Sequence, residues 1–347
     1  MKPIIAGTRK LIVNQKIRRL VSSRLFRTIL GIVIAVVSLY LSIRNVSWSD
    51  VQKTFSTVDL SFVIWALMSV VITNIGKGIR WKVLMGTQGQ IISHKHSLMM
   101  IVAGQALNTI YPARVGDLSR AYIIGGMGLG GMFVMGTIVL EKIFDMIFYS
   151  LLFIILLLVI RLPAWVSSSA ITVTVLTVSS LFMVFILSYR LEWFSKVLEE
   201  LIDRLPLRFR QKLHTWRVSG LASLTILKSR WDLVKIVIWS AIIWITAVLT
   251  NYLCMLALDI YLPITASILV LILLQVGMTL PSVPGRIGIF EYLCVLALGV
   301  FGVNDSTAFS YGLLLHVVAL LPQTIIGLGF LGIMSISNKH PTTSSSA

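Results

Sequence analysis

Two short polar stretches interrupt otherwise apolar sequence, and each carries an arginine. Pro112-Ala113-Arg114-Val115-Gly116 is followed 172 residues later by Pro284-Gly285-Arg286-Ile287-Gly288. Proline and glycine there indicate interrupted helical backbone, which at membrane depth is tolerated only where protein or a water-filled cavity surrounds it. A guanidinium group can bind a phosphate through two parallel hydrogen bonds. The two stretches therefore predict the substrate site of a transporter-like membrane protein.

Further polar residues lie beside these interruptions. Asp117 stands where a new half-helix would start, so its carboxylate could cap free backbone N–H groups and suit the positive end of the helix dipole. Arg120 would join Arg114 as a donor to phosphate. The candidate headgroup-binding residues are Asn108, Arg114, Asp117, Arg120, Glu141, Asp145, Arg286 and Glu291. The candidate positions of broken helix are Pro112, Gly116, Pro281, Pro284, Gly285 and Gly288.

The same charges allow a purely structural interpretation, in which they pair with one another and hold the chain together. The set has four positive and four negative members: Arg114, Asp117, Arg120, Glu141, Lys142, Asp145, Arg286 and Glu291. Glu141 and Asp145 lie four residues apart and so share a helix face, placed either in a site or at the membrane boundary. His316 stands alone in the last apolar run, where a packing role is favoured.

The elements that must position these residues are apolar runs. About 20 residues cross a bilayer, and runs of roughly that length lie near 26–43, 60–78, 132–160, 170–188, 233–257 and 307–334. Two further apolar pairs, near 97–125 and 264–302, contain the interruptions, and each of their arms is about 15 residues, short of a full span. We expect each pair to form a hairpin of two half-helices that meet at depth; two short spans are the alternative.

Composition places the chain in the membrane class. It is 57% hydrophobic and 12% charged, with a mean hydropathy of +0.92, far from a soluble profile. Of its 30 Lys and Arg residues, 22 fall in 1–27, 77–96, 189–231 and 335–347. This asymmetry follows the positive-inside rule, which explains the net charge of +17 without a nucleic-acid partner. It predicts an inner (cytoplasmic) cell-membrane protein with both termini in the cytoplasm and an uncleaved first run.

We predict an all-α integral membrane protein with one domain over 1–347. It consists of an inverted repeat of three spans plus one broken re-entrant helical hairpin per half, at about 26–160 and 170–334. Paired interruptions of this kind are typical of the substrate site of transporters. The basic amphipathic loop 189–231 is either an interfacial segment docked on anionic lipid or a cytoplasmic connector. The tail 335–347 is predicted to be disordered.

Nothing in the sequence indicates a cofactor, a metal or an enzyme. His94 and His96 have no Cys or carboxylate neighbours of the kind a metal site needs. The glycines of 125–131 are too irregular for a phosphate-cradling loop. There is no nucleophile motif, and the acidic cluster of a magnesium-dependent lipid transferase is also missing.

The ordered motifs resemble those of a known membrane family. They run from Asn108-Thr-Ile-Tyr-Pro112-Ala-Arg114-Val-Gly116-Asp117-Leu-Ser-Arg120, through Glu141-Lys-Ile-Phe-Asp145, to Leu280-Pro281-Ser-Val-Pro284-Gly285-Arg286-Ile-Gly288-Ile-Phe-Glu291, with Arg80-Trp81 upstream. They are similar to the lysylphosphatidylglycerol synthase transmembrane-region family, which includes the flippase domain of the bacterial multiple peptide resistance factor. The resemblance covers about residues 25–335. It implies lipid translocation, and archaeal relatives are linked to polyprenyl-linked glycan assembly.

Two positions depart from the family pattern. Asp117 stands where the family usually has Glu, and Arg286 stands where it usually has a second Gly. The chain also ends soon after the last apolar run, with no soluble aminoacyl-transferase domain, so we expect no synthesis of lysyl-lipid.

We therefore expect a flippase that moves a phosphate-bearing lipid, phospholipid or polyprenyl-linked, by alternating access. Its partners would be anionic or polyprenyl-phosphate-linked membrane lipids and an enzyme of lipid or glycan biosynthesis. The alternatives are a small-solute secondary transporter, a membrane transferase acting on lipid-linked sugars, and an accessory subunit that docks a synthase through 189–231.

Overall fold

The computed structural model describes residues 24–111, 114–168, 170–277 and 284–339. Within these ranges every regular element is a helix. The α-helices are α1 (Arg24–Ile43), α2 (Trp48–Ser56), α3 (Leu60–Leu84), α4 (His94–Ile110), α5 (Val115–Ile124), α6 (Gly131–Val159), α7 (Ala164–Ser167), α8 (Ala170–Tyr189), α9 (Leu191–Asp203), α10 (Leu207–Leu224), α11 (Arg230–Leu256), α12 (Ile264–Gly277), α13 (Ile289–Gly299) and α14 (Asp305–Lys339). Single helical turns of other types lie at Gly86–Ile91, Gly125–Leu129, Thr225–Lys228 and Pro284–Arg286.

Four of the described helices, α3, α6, α11 and α14, are long and apolar enough to cross a membrane. A fifth span results if α1 and α2, which are bent by 79° at their break, count as one. The predicted run near 170–188 folds as α8, where Val175–Val184 forms a shorter apolar helix. The chain is therefore a multi-pass helical membrane protein. By length and composition it has four or five spans in the described part, where the sequence predicts six.

Helices α3 and α11 form the central pair of the bundle. Their contact is lined by small hydroxyl residues: Ser69 Oγ donates to the Thr246 carbonyl at 2.7 Å, and the hydroxyls of Thr73 and Thr246 lie 2.7 Å apart. Thr250 Oγ1 donates to Ser69 Oγ at 3.0 Å. Small side chains let two membrane helices approach closely, and their hydroxyls hydrogen-bond across the contact. This pair is the frame on which the shorter helices pack.

The outer surface of the bundle is apolar. Leu158 is 82% exposed, and Leu60, Ile245 and Trp65 are each more than 60% exposed. In a soluble protein such a surface would associate or aggregate, whereas in a bilayer it meets lipid chains.

Outside the bilayer-spanning segment, the carboxylate of Asp59 caps α3 by accepting hydrogen bonds from the hydroxyl and the backbone N–H of Ser61. These hydrogen bonds lower the pKa of Asp59.

The helices beside the two interruptions are short. Helices α4 and α5 have 17 and 10 residues, and α12 and α13 have 14 and 11. Each is shorter than the roughly 20 residues that a crossing needs. We call the joint between α4 and α5 the first break and the joint between α12 and α13 the second break. Pro112 and Pro281 lie outside the described residues.

Two helix ends differ from the sequence prediction. Helix α3 continues to Leu84 instead of ending near residue 78, so Lys77 and Arg80 lie within the bundle and not in a polar loop. Extending a formed helix adds a hydrogen bond for each residue fixed. Arg80 finds an ion-pair partner and Lys77 a hydrogen-bond acceptor within the bundle, as described below. Helix α14 continues to Lys339, into the segment predicted as a disordered tail. Residues 340–347 lie outside the described part.

Candidate functional site

The first break is formed by the close crossing of α4 and α5. A Cβ atom at Gly116 would overlap the carbonyl of Gly104, so a glycine is required for this approach. The backbone N–H of Gly116 donates to Asn108 Oδ1 at 2.8 Å, and Asn108 Nδ2 donates to Asp117 Oδ1 at 3.3 Å. The structure thus brings three predicted residues together. Asn108 satisfies the free N–H at the start of α5, while Asp117 does not act as the cap expected from the sequence.

Arg120 ties the first break to α6 through buried charges. Its two terminal nitrogens lie 3.2 Å from Glu141 Oε2, and Nη2 lies 3.4 Å from Asp117 Oδ1. The guanidinium carbon sits 4.7 Å from the ring centroid of Trp81, and Lys142 Nζ lies 3.3 Å from Glu141 Oε1. Arg120 is 2% exposed and Glu141 is 6% exposed. The internal pairing weighed as an alternative is what these residues form.

A second ion pair joins three helices of the bundle. Arg80 Nη1 lies 2.8 Å from Asp145 Oδ1 on α6 and 3.0 Å from Ser240 Oγ on α11, and Arg80 is 1% exposed. One helical turn earlier, Lys77 Nζ donates to Gln105 Oε1 on α4 at 3.3 Å. Sequence reasoning missed Lys77 and Arg80 as site residues. The sequence feature that could have identified them is their spacing of three residues, which places both side chains on one helix face.

Glu141 and Asp145 lie in the interior of α6. The helix begins at Gly131, so at 1.5 Å per residue they lie about 15 Å and 21 Å along a helix of about 44 Å. The boundary placement rested on a span beginning near residue 141. The helix begins ten residues earlier, and both acids form ion pairs within the bundle, Glu141 with Arg120 and Asp145 with Arg80.

The second break is closed by a different pair. Glu291 is 3% exposed, and its Oε2 accepts the backbone N–H of Gly288 at 2.7 Å. Its Oε1 lies 2.5 Å from His316 Nδ1, and His316 Nε2 lies 2.8 Å from the carbonyl of Gly285. His316 therefore links α13, α14 and the turn between α12 and α13. The sequence favoured a packing role for this residue, and its partner, 25 residues away, gave no local signal.

The two arginines of the interruptions have the same unusual backbone. Arg114 has φ +54° at the start of α5, and Arg286 has φ +59° in the second break. Left-handed backbone is costly for a residue with a Cβ, and such positions cluster at functional sites. The only other non-glycine with positive φ in the described residues is Asp259. The repeated motif thus has a repeated conformation at its arginine.

The two breaks approach each other and leave positive charge between them. The turn Pro284–Arg286 packs against α4, and the guanidinium groups of Arg114 and Arg286 are near enough for their like charges to interact. In the described part of the chain neither arginine forms an ion pair. Arg114 is exposed and Arg286 is half-buried. This arrangement leaves positive charge that a bound anion would neutralise.

A cavity of about 510 Å³ lies elsewhere, where the end of α3 meets the start of α11. Lys82, His94, Asp232 and Lys235 are among its lining residues, and none of the predicted site residues lines it. Lys235 Nζ already lies 3.0 Å from Asp232 Oδ1. We therefore place the candidate site at the two breaks. Among the described residues no three His, Cys, Asp or Glu side chains are grouped to hold a metal ion.

Comparison with known proteins gives one match. The sequence matches the family described as "Lysylphosphatidylglycerol synthase TM region" over residues 28–327. No curated protein and no solved structure matches the sequence.

Proposed function

The chain belongs to the lysylphosphatidylglycerol synthase transmembrane-region family, and from this membership we propose that it is a flippase for a phosphate-bearing lipid. The observation that carries the proposal is the pair Arg114 and Arg286, one from each break. Neither forms an ion pair in the described chain, and their guanidinium groups are near enough for their like charges to interact. A phosphate that binds both would neutralise their repulsion through charge-assisted hydrogen bonds.

The surroundings of the breaks favour a lipid over a small polar solute. Tyr111 and Leu118, which flank the first break, are 53% and 55% exposed, and Ile287 in the second break is 54% exposed. Apolar side chains beside an arginine suit a substrate with a charged headgroup and hydrocarbon chains. A small-solute site would instead be enclosed by polar groups. Phospholipids and polyprenyl-phosphate-linked lipids share this chemistry.

The packing of the helices supports an inverted repeat over about 26–160 and 170–334. Helix α3 pairs with α11, α4 packs against α14, and α12 packs against α6, so helices at corresponding positions have corresponding partners. In each half the second arm of the break packs on the long helix that follows it, α5 on α6 and α13 on α14. We propose that each break is a re-entrant hairpin and that the two halves rock about α3 and α11, exposing the site alternately to each leaflet.

The remaining site residues position the two hairpins in this proposal. The sequence predicts Arg120 as a second phosphate donor. Because its terminal nitrogens already contact Glu141 and Asp117, we assign it to holding the first hairpin on α6. Glu291 holds the second hairpin through Gly288 and His316. Arg114 and Arg286 are left to bind the headgroup.

Reconstitution in vesicles that contain fluorescently labelled phosphatidylglycerol tests the proposal. A membrane-impermeant reductant bleaches the outer leaflet, so a flippase raises the bleached fraction above the half that lies outside. We expect wild-type protein to do so, and Arg114→Gln and Arg286→Gln each to slow the movement at least tenfold. Arg44→Gln, which changes an exposed arginine away from the breaks, serves as the matched control.

Two results would contradict the proposal in different ways. Equal rates in wild type and both arginine variants would remove Arg114 and Arg286 from headgroup binding. Wild-type protein that moves neither labelled phosphatidylglycerol nor a labelled polyprenyl phosphate would refute the flippase function itself. Native mass spectrometry of the purified protein provides a second measurement, since a retained lipid should be lost in the arginine variants and kept in the control.

A further inference from the structure

The contacts of His316 fix the number of protons in the second break. Its Nε2 lies 2.8 Å from the Gly285 carbonyl, and because a carbonyl only accepts, Nε2 must carry a hydrogen. Its Nδ1 lies 2.5 Å from Glu291 Oε1, and this contact needs another hydrogen, on Nδ1 or on the carboxyl group. The pair therefore holds one proton more than a carboxylate beside a neutral imidazole.

Burial makes this additional proton important. Glu291 is 3% exposed, and no Lys or Arg of the described chain forms an ion pair with it. With the proton the pair is neutral overall, whether as imidazolium and carboxylate or as imidazole and carboxylic acid. Without the proton a buried negative charge is left uncompensated, which is strongly unfavourable.

Few other ionisable groups lie around the pair. Cys294 on α13 and Cys254 on α11 are buried thiols, and Tyr311 on α14 uses its hydroxyl to contact Asn251. Arg286 lies in the turn itself, with Arg114 beyond it. Helix α12 contains no ionisable side chain, and α1, which meets Gly288 through the carbonyl of Ala35, contains no Asp, Glu, His or Lys.

We propose that Glu291 and His316 form a proton-binding site that couples proton release to the opening of the second break. The inference rests on the proposed function, because it assigns the proton the role of coupling ion for lipid movement. His316 holds Gly285, the residue before Arg286. If the proton leaves to water, the Nδ1 lone pair faces a carboxylate, and the ring cannot keep both contacts. The turn is then released, and Arg286 moves with it.

The variant Glu291→Gln separates the effect of losing the proton from the effect of losing the contacts of Glu291. The glutamine oxygen can accept the Gly288 N–H, and its amide group can donate to Nδ1 of a neutral His316, while Nε2 still donates to Gly285. The variant keeps all three contacts without the exchangeable proton. It reproduces the proton-loaded state and should fold as the wild type does. Glu192→Gln, on the exposed face of α9, is the matched control.

The first measurement is a pH titration of the detergent-solubilised, lightly buffered protein. We expect one protonation step per chain that is present in wild type and in Glu192→Gln, and missing in both Glu291→Gln and His316→Gln. Identical titration curves for wild type and Glu291→Gln would overturn the proton site. This result does not depend on whether the protein moves lipid.

The second measurement is movement of labelled phosphatidylglycerol across vesicles with an imposed pH difference. We expect the wild-type protein to accumulate the labelled lipid in one leaflet. The direction of accumulation should reverse when the pH difference is reversed, and a protonophore should abolish the accumulation. Glu291→Gln should show no response to the pH difference. A full response in Glu291→Gln would overturn the coupling. A wild-type protein that binds the proton but moves no lipid would instead contradict the flippase function.

Discussion

Replacing Arg120 by methionine tests whether this arginine holds the first hairpin or binds substrate. The change removes contacts to Glu141 at 3.2 Å and to Asp117 at 3.4 Å, and the stacking of the guanidinium on Trp81. It leaves two acids with Lys142 as the only cation of the described chain within 4.0 Å, and the side chain of Lys142 is 41% exposed. Methionine fills a similar volume, so the effect comes mainly from the charge.

The size of the effect follows from two independent considerations. Removing one partner of a buried ion pair costs about 3–5 kcal/mol, and an uncompensated charge at the centre of a membrane helix costs about 2.5–3.5 kcal/mol. Ordinary polar contacts between membrane helices contribute only about 0.6 kcal/mol. The loss of stability would be of this smaller size if Lys142 compensated the charges of both acids. We therefore expect a loss of about 3 kcal/mol. Arg114→Gln removes no ion pair of the described chain and should stay within about 0.5 kcal/mol of wild type.

The assay is reversible unfolding of the protein in mixed micelles by increasing SDS, followed by tryptophan fluorescence. The double variant Arg120→Met/Glu141→Gln should recover much of the lost stability, because the second change removes the buried charge that the first one leaves. Lipid retention measured on the same samples separates the two roles. If Arg120→Met unfolds like wild type but loses its lipid, Arg120 is a headgroup ligand as the sequence predicts, and the reasoning from its contacts is refuted.

Three further substitutions examine the second break and the ion pair between Arg80 and Asp145. Gly288→Ala should destabilise the protein by about 2–4 kcal/mol in the same assay, because its Cβ would lie 2.5 Å from the Ala35 carbonyl and its φ is +89°. The control is Gly302→Ala, which is also at positive φ but has open space around it. This control should lose less than half as much stability. Arg286→Gly should unfold within about 1 kcal/mol of wild type, since relief of left-handed strain offsets the entropy of glycine, yet retain no lipid in native mass spectrometry; unchanged retention would contradict headgroup binding. Arg80→Gln should cost about 3 kcal/mol by leaving its carboxylate partner on α6 unpaired, and a change below about 0.5 kcal/mol would mean that water already solvates that carboxylate.

The positions of the helices could be predicted from the sequence because hydropathy is a local property. The apolar runs near 60–78 and 233–257 fold as Leu60–Leu84 and Arg230–Leu256, and the prolines and glycines correctly mark the joints between short helices. The start of α6 could not be predicted. The run of glycines before it gives no sign of a helix that begins at Gly131, immediately after Gly130 at φ +82°.

The partners of the buried charges could not be predicted, because they join residues far apart in the chain. Arg80 reads as a loop residue in the sequence, since a charge at the end of an apolar run normally marks the membrane surface. Its partner Asp145 is 65 residues away and is brought near by the packing of α3 on α6. His316 is equally uninformative without Glu291. Pairing across helices depends on which faces meet, and spacing within one helix does not contain that information.

The two breaks are held by different chemistry, and this difference indicates which one moves. Arg120 fixes the first break to α6 through Glu141 and also contacts Asp117 on its own helix, and neither contact depends on a proton that is easily lost. The second break is held by Glu291 and His316, whose three contacts require one additional proton. Contacts that break when a single proton leaves can form and break more easily than a buried ion-pair network. The second hairpin, in which Arg286 lies beside the Glu291–His316 pair, is therefore the part that moves in the proposed cycle. The first hairpin, with Arg114, is the fixed half of the site.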